Sequence, residues 1–260
     1  MLLGVRQLIF KKDLIWAWSF RIIRARYQQS ILGGLWAIIQ PASSVVIFSI
    51  IFTFFIPVNT GGIPYIIFSY VAMVPWTLFS SSITEMVDSL VSNMNLVTKI
   101  YFPREVLPIS TLIARLLDFT IAFSVIILLI VYFKVPIFIF GWFLLPVVLI
   151  IQLALSLGIG LIGGALNVFY RDIKHIFALS LQIWFYASPI IYPVSSVPER
   201  FRSIYYLNPM VGVIEAYRVV ILQQKMPDSS LILSASIAAV TLLVGYWFFK
   251  RVEFQIADVV

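Results

Sequence analysis

The sequence predicts an all-α membrane protein. It has six transmembrane helices, an N-terminal amphipathic interface helix, and re-entrant external helices between the fifth and sixth spans. Three observations carry this reading. Hydrophobic residues make up 62% of the chain and the mean hydropathy is +1.04, well above what a 260-residue soluble domain needs for its core. The apolar residues gather into six runs, 35–55, 65–82, 107–133, 138–166, 176–192 and 231–249. Each is close to the roughly 20 helical residues that cross about 30 Å of hydrocarbon. Finally, the runs are continuous, whereas strands of a membrane barrel alternate apolar and polar residues over about ten positions. Residues 1–260 are therefore one transmembrane domain, with an interface helix over 4–29, a six-helix region over 35–249 and an external segment over 193–230.

In the first element, Arg6, Lys11, Lys12, Arg21, Arg24 and Arg26 are scattered instead of clustered before an apolar core, so no cleavable leader is expected. A helix over 4–29 puts Arg6, Asp13, Arg21 and Arg24 near one face, with Val5, Ile9, Trp16 and Ile23 opposite and Lys12 interrupting the apolar side. That pattern suits the headgroup layer, either as a plain topology anchor or as a docking surface for a cytoplasmic partner.

Between the second and third spans, SNMNLVTKIYFPR (92–104) predicts a short helix, and Pro103 stands where a new helix can open. Tyr101 and Phe102, flanked by Lys99 and Arg104, are residue types that anchor protein interfaces. They equally suit a juxtamembrane aromatic belt. Inside the third span, Arg115 and Asp118 share a helical face and are expected to neutralise each other. One such pair, without further buried carboxylates, is too little for an ion relay.

In the fourth span, GIGLIG (158–163) matches a dinucleotide-binding string, but it has no preceding strand and is a chance match. Ser156, Gly160 and Gly164 recur every four residues, a spacing that lets backbones approach closely within a bundle or across a dimer. The turn NVFYRDIKH (167–175) offers Arg171 and Asp172 to cap helix ends or to pair across the bundle. His175, the only histidine, is read as solvated. The segment 193–230 is too long for a turn and too apolar for a solvated loop, with SPIIYP (188–193) at its entrance and VPER, LNPM and VIEAYR following. Two short helices that enter the outer leaflet and return explain both its prolines and its apolar residues. They would form a gate at the external mouth, or a cap lying on the membrane.

Charge placement gives orientation. Twelve Lys and Arg residues fall on the side that holds both ends, five fall on the other, and Arg115 sits within a span. Both termini are thus expected in the cytoplasm. The net charge of +7 reads as topology and attraction to anionic lipid, not as a nucleic-acid surface. Zero cysteines exclude disulfides and thiolate metal sites. No phosphate loop, His-Glu-x-x-His pair or nucleophile–histidine set is found, so no catalytic, cofactor-binding or metal residue is assigned. Glu85, Asp88 and Glu105 share one loop region, but their spacing suggests solvated helix faces, which argues against a metal-dependent membrane transferase.

An ordered series of motifs narrows the class: RYQQSILGGLW from Arg26 to Trp36, Gln40-Pro41, Val74-Pro75-Trp76, NLVTKIYFPR from Asn95 to Arg104, NVFYRD from Asn167 to Asp172, LQIW from Leu181 to Trp184, Ser188-Pro189-Ile190 and Leu207-Asn208-Pro209. Together they resemble the membrane subunit of ABC exporters that move O-antigen, teichoic acid or capsular polysaccharide, over about residues 10 to 250. The resemblance implies a bacterial inner-membrane subunit that pairs with a copy of itself around a channel. It also implies two copies of a separate ATPase subunit, which carry the ATP and Mg²⁺, and a lipid-linked polysaccharide as substrate. On this resemblance Lys99, Tyr101, Phe102, Pro103 and Arg104 become ATPase-coupling candidates. Pro189, Tyr192, Pro193, Asn208 and Pro209 become the external gate.

The chain holds 22 Phe, 12 Tyr and 7 Trp. Sugar rings stack on aromatic faces without one fixed hydrogen-bond pattern, so Trp36, Phe48 and Phe52 on the first span and Trp184, Phe185 and Tyr186 on the fifth are candidate channel-lining residues. The alternative function is an ABC exporter subunit for a hydrophobic drug or a lipid, which shares the topology without such aromatic rows.

Overall fold

The computed structural model describes residues 12–28, 30–99, 102–253 and 255, and for Thr98 and Lys99 the main chain only. Residues 4–11 and Gln29 of the expected interface helix lie outside the described residues. The helices are α1 (Lys12–Tyr27), α2 (Trp36–Ile50), α3 (Tyr65–Ser89), α4 (Met94–Lys99), α5 (Val106–Tyr132), α6 (Ile139–Trp142), α7 (Leu145–Phe169), α8 (Ile173–Tyr186), α9 (Glu199–Tyr205), α10 (Pro209–Arg218) and α11 (Ser230–Val252). No strand occurs among the described residues.

Five helical stretches, Gly33–Phe55, Tyr65–Ser89, Val106–Tyr132, Ile139–Phe169 and Ser230–Val252, are long and apolar enough to cross a membrane. Helix boundaries differ from the hydropathy runs where polar or cyclic residues intervene. The second run continues to Ser89, because Thr84, Glu85 and Asp88 ride on one helix beyond the apolar part. The fourth run breaks at Phe143 and Leu144, and α7 restarts with a proline in its first turn. The fifth run ends early, at Tyr186 instead of Tyr192, since the residue before Pro189 is pushed away from the helical region. That leaves α8 with 14 residues.

α3 is the axis of the bundle. Its apolar window is 78% buried, against 17% for the Gly33–Phe55 stretch and 22% for α11, so the outer helices offer most of the lipid-facing surface. α1 packs along α5, where the Ser110 hydroxyl donates to the Ile15 carbonyl at 3.2 Å, while Trp16 and Phe20 point outward. The inward face of α1 thus runs through Ile15 and buried Ser19.

The Ser156/Gly160/Gly164 stripe is used within the bundle. A side-chain carbon at Gly160 or Gly164 would strike Met86 of α3. On the other side of α7, two residues along, lies a close approach to α11, where a carbon at Gly158 would come within 2.6 Å of the Thr241 main chain and one at Gly245 would strike the Gly158 carbonyl. These glycines supply space, not conformational freedom: neither helix can carry a Cβ at that contact.

The near end of the bundle, defined by α1, residues 85–99, 102–105 and 167–175 and the end of α11, faces away from the far end at residues 56–65, 133–139 and 187–230. α8 runs antiparallel to α3 between them. Lys174 and His175 share a cleft of about 720 Å³ with Trp18, Arg21, Thr84 and Asp88 at the near end. Further along, Trp184 packs edge-on to Phe79, and past the helix end the Tyr65 hydroxyl donates to the Ile191 carbonyl at 2.7 Å.

Candidate functional site

Four polar or aromatic assemblies tie the helices together. The first surrounds the intramembrane pair expected from sequence. Arg115 donates to Asp118 at 2.8 Å, one turn apart, as anticipated. The pair is not self-contained, because Arg26 of α1 reaches the same carboxylate at 2.6 Å and Glu85 of α3 at 2.7 Å, and Arg115 also pairs with Glu85. Two guanidinium and two carboxylate groups thus balance across α1, α3 and α5, and the Tyr27 hydroxyl donates to the second Asp118 oxygen. Burial and that bond to a carboxylate push the Tyr27 hydroxyl up to about 12. Glu85 is therefore a member of an ion cluster and not the solvated residue that its spacing suggested.

Asp118 carries three donors and its side chain is 13% exposed, against 31% for Glu85. Asp118→Asn is expected to destabilise the protein by about 3 kcal/mol, since breaking a buried pair leaves its partners uncompensated. Glu85→Gln should cost clearly less. Thermal unfolding of the two purified variants checks the order, and equal shifts would argue against Asp118 as the centre.

The second assembly follows α4. A short helix forms over Met94–Lys99, where sequence predicts one. Of the coupling candidates, the Lys99 side chain and Tyr101 lie outside the described residues. Phe102 packs against an apolar cluster of Leu90, Val97, Leu107, Leu161 and Phe249. Pro103 accepts a turn hydrogen bond from the Val106 amide at 3.1 Å. Arg104 donates to the main-chain carbonyl of Glu253, and its own amide donates to the Glu253 carboxylate at 3.2 Å. Beside it, Glu105 is fully buried and pairs with Lys250 at 2.6 Å, correcting its reading as a solvated residue. Burial pushes the Glu105 carboxyl above the usual carboxylate range, and the Lys250 ammonium draws it back.

At the turn before α8, Arg171 and Asp172 are exposed, and the Asp172 side chain makes no cap. The tie is Asn167 instead: it is buried, donates to the Val87 carbonyl at 3.0 Å and accepts from the Lys174 amide at 3.3 Å. His175 is exposed in the near-end cleft.

The third assembly gathers the residues after α8. Asn208 is the cap of α10, accepting from the Met210 amide at 3.0 Å as an Asn before proline should. The same oxygen accepts from the Trp184 indole at 2.7 Å, and its amide donates to the Ala187 carbonyl and the Ser188 hydroxyl, both at 3.0 Å. Tyr192 donates to the Tyr186 carbonyl at 3.0 Å, Pro189 and Pro209 are buried, and Pro193 is half-buried. Sequence reasoning missed the centre of this region. Arg218, counted there among the residues of an outer loop, is 1% exposed, and its guanidinium donates to the carbonyls of Phe68, Pro189, Ile190 and Tyr192. The Phe68 ring lies 3.7 Å beneath it.

The fourth assembly is a run of rings. Phe52, Phe48 and Phe185 join Tyr65 and Trp76, with centroids 5.6 to 6.3 Å apart, and Phe79 links Trp76 to Trp184. Four of the six expected lining residues are thus half-buried between α2, α3 and α8, while Trp36 and Tyr186 are 54% and 58% exposed.

Helices of membrane-crossing length around a buried axis, with charges consumed in ties between them, define a multi-pass membrane protein. Similar sequences say which kind. The model of the ABC-2 type transporter family matches residues 13–222, and the chain belongs to that family. It is 32% identical to the O-antigen export system permease protein RfbA of Myxococcus xanthus, covering 92% of both chains. It is 28% identical to the protein of the same name from Klebsiella pneumoniae over 95% of each, and 29% identical to the polysialic acid transport protein KpsM of Escherichia coli over 94% of this chain and 95% of that one.

Proposed function

We propose that this chain is the channel-forming membrane subunit of an ABC exporter that carries a lipid-linked polysaccharide across the bacterial inner membrane. The observation that carries the reading is near full-length similarity to permeases named for two different glycans, O-antigen and polysialic acid. A drug or lipid exporter has no comparable support among these relatives. The subunit itself is not an enzyme. ATP and Mg²⁺ belong to a separate ATPase subunit, two copies of which dock at the near end, on the cytoplasmic side.

Six crossings are supported by α8, because a 14-residue helix that starts beside Asp88 and a following turn that reaches Tyr65 accompany α3 from end to end. An even number keeps both termini in the cytoplasm, in line with the basic near end. Pairing with a second copy is supported by the open faces of α2 and α8. Gln40, Ser43, Ser180 and Gln182 are exposed there among apolar residues, and polar groups at membrane depth are tolerated where they meet protein or a water-filled cavity. Trp36 and Tyr186 flank those faces and remain the aromatic candidates for glycan contact. The re-entrant gate reading is supported by α10, whose apolar residues Met210, Val213 and Ile214 are fully buried while its start bonds to Trp184 and its end to Phe68.

The test is reconstitution with the ATPase subunit in vesicles, following ATP-dependent uptake of a lipid-linked glycan and, in parallel, a hydrophobic dye. Glycan uptake without dye uptake is expected; the reverse result would overturn the proposal. In the same assay Tyr101→Ala with Phe102→Ala should reduce ATPase recruitment and glycan uptake at least tenfold while the membrane level stays unchanged. Full recruitment by that variant would remove the docking role of the loop.

A further inference from the structure

Two independent contacts join the loop after α4 to the C-terminal end of α11. One is apolar: Val97 of α4 and Phe102 of the loop share a cluster with Phe249, which is fully buried. The other is ionic. Arg104, Glu105, Lys250 and Glu253 form a balanced set in which Lys250 holds Glu105 at 2.6 Å and Glu253 at 2.8 Å, while Arg104 donates to the Glu253 main chain. Glu105 immediately precedes α5, and it has no solvent exposure, so its charge has nowhere to relax if Lys250 moves away. From that point α11 is keyed to α7 through Gly245 against Gly158, a contact of backbone on backbone that cannot slide without opening both helices.

We infer that Glu105 and Lys250 are positioning residues for transport: they make the C-terminal end of α11 a second lever that passes movement of the 94–104 segment into the bundle. This rests on the reading of that segment as the ATPase-facing element. Without the pair the loop bears on α5, which follows it directly, and on α11 only through the apolar contact at Phe249. The buried pair obliges α11 to follow as well, and the glycine contact carries the displacement to α7. Three helices then respond to one displacement at the near end. Neither residue touches the glycan or the ATPase in this scheme, so their loss should separate ATP consumption from export.

The experiment compares the parent, Lys250→Met, and the exchanged pair Glu105→Lys with Lys250→Glu, each co-expressed with the ATPase subunit and reconstituted. Three quantities are read: ATPase co-purified, ATP hydrolysed and glycan exported. For Lys250→Met the expected result is ATPase recruitment and hydrolysis within about twofold of the parent with export per ATP down at least tenfold. The exchanged pair should regain at least a third of the parent ratio. An unchanged ratio in Lys250→Met overturns the inference. If Lys250→Met fails to accumulate, the exchanged pair decides: a folded exchanged protein with a tenfold lower ratio overturns it, and one with the ratio regained supports it. Failure of the docking reading looks different, because the loop variant Tyr101→Ala with Phe102→Ala would then recruit ATPase normally.

Discussion

Arg218→Met is expected to destabilise the protein by about 4 kcal/mol and to free the segment 187–223. The guanidinium answers four main-chain carbonyls from two separate stretches of chain, and each buried carbonyl left without a donor costs about 1–3 kcal/mol. Methionine fills part of the volume but donates nothing. Three of those carbonyls, of Pro189, Ile190 and Tyr192, are free because α8 ends at Tyr186 and residues 187–193, held by Pro189 and Pro193, have no helical ladder of their own. Arg218→Lys should recover less than half the loss, since an ammonium cannot fan out to four acceptors as the planar fork does. Limited proteolysis of the purified protein, with cleavage mapped to 187–223, reads the effect directly. Parent-like resistance in Arg218→Met would show that the proline-rich segment is held by something other than this side chain. Under the gate reading the same variant should also leak small solutes from vesicles.

A similar size of effect is expected at the crossing of α7 and α11. Gly158→Leu puts its first side-chain carbon within 2.6 Å of the Thr241 main chain, and the atom struck is backbone, so no rotamer change relieves it. Overpacking at such a site costs about 3 kcal/mol or more, because the helices must separate and give up their contacts along the whole crossing. The measurement is the amount of folded protein recovered from the membrane and its unfolding midpoint in detergent. Gly160→Leu is the useful comparison, since there the two nearest obstacles are Cε and Sδ of Met86, which can turn aside, and only Met86 Cβ, at 2.9 Å, is fixed to the backbone. If both variants behave alike, the backbone contact is not what limits this packing.

The all-helical class, the membrane setting, most span positions and the short helix over Met94–Lys99 were legible from the residues in order. The cap at Asn208 went unread, Asn208 being assigned only to the external gate, although an Asn before proline is a local signal that needs no partner from elsewhere. The site was legible only in part. Residues 187–193 and 208–209 were recognised as unusual from their prolines, yet Arg218, which organises them, looked like one more basic residue in a loop. Its only local sign was a position between Tyr217 and an apolar run, which equally fits a residue at the membrane surface. The aromatic rows were legible only as residue types, for a related reason. Periodicity said which residues share a helix, and it was silent on whether Phe48 and Phe185 face a conduit or each other. They stack on each other at 6.0 Å.

What residue order decides here is local: how many consecutive positions can pay the cost of entering hydrocarbon, where a proline or a capping residue ends a helix, and which stretches stay basic at one end. Those properties depend on neighbours within a few residues and survive any arrangement of the helices. The ties that give the bundle its shape are set otherwise. Arg26 meets Asp118 across 92 residues, Arg104 meets Glu253 across 149 and Arg218 meets Phe68 across 150. A charge in an apolar chain announces that it needs a partner, but many candidates satisfy that need equally well. Only the packing of α1, α3, α5 and α11 selects one of them, because the cost of burying an unpaired charge is settled in three dimensions by whichever group arrives within hydrogen-bond distance.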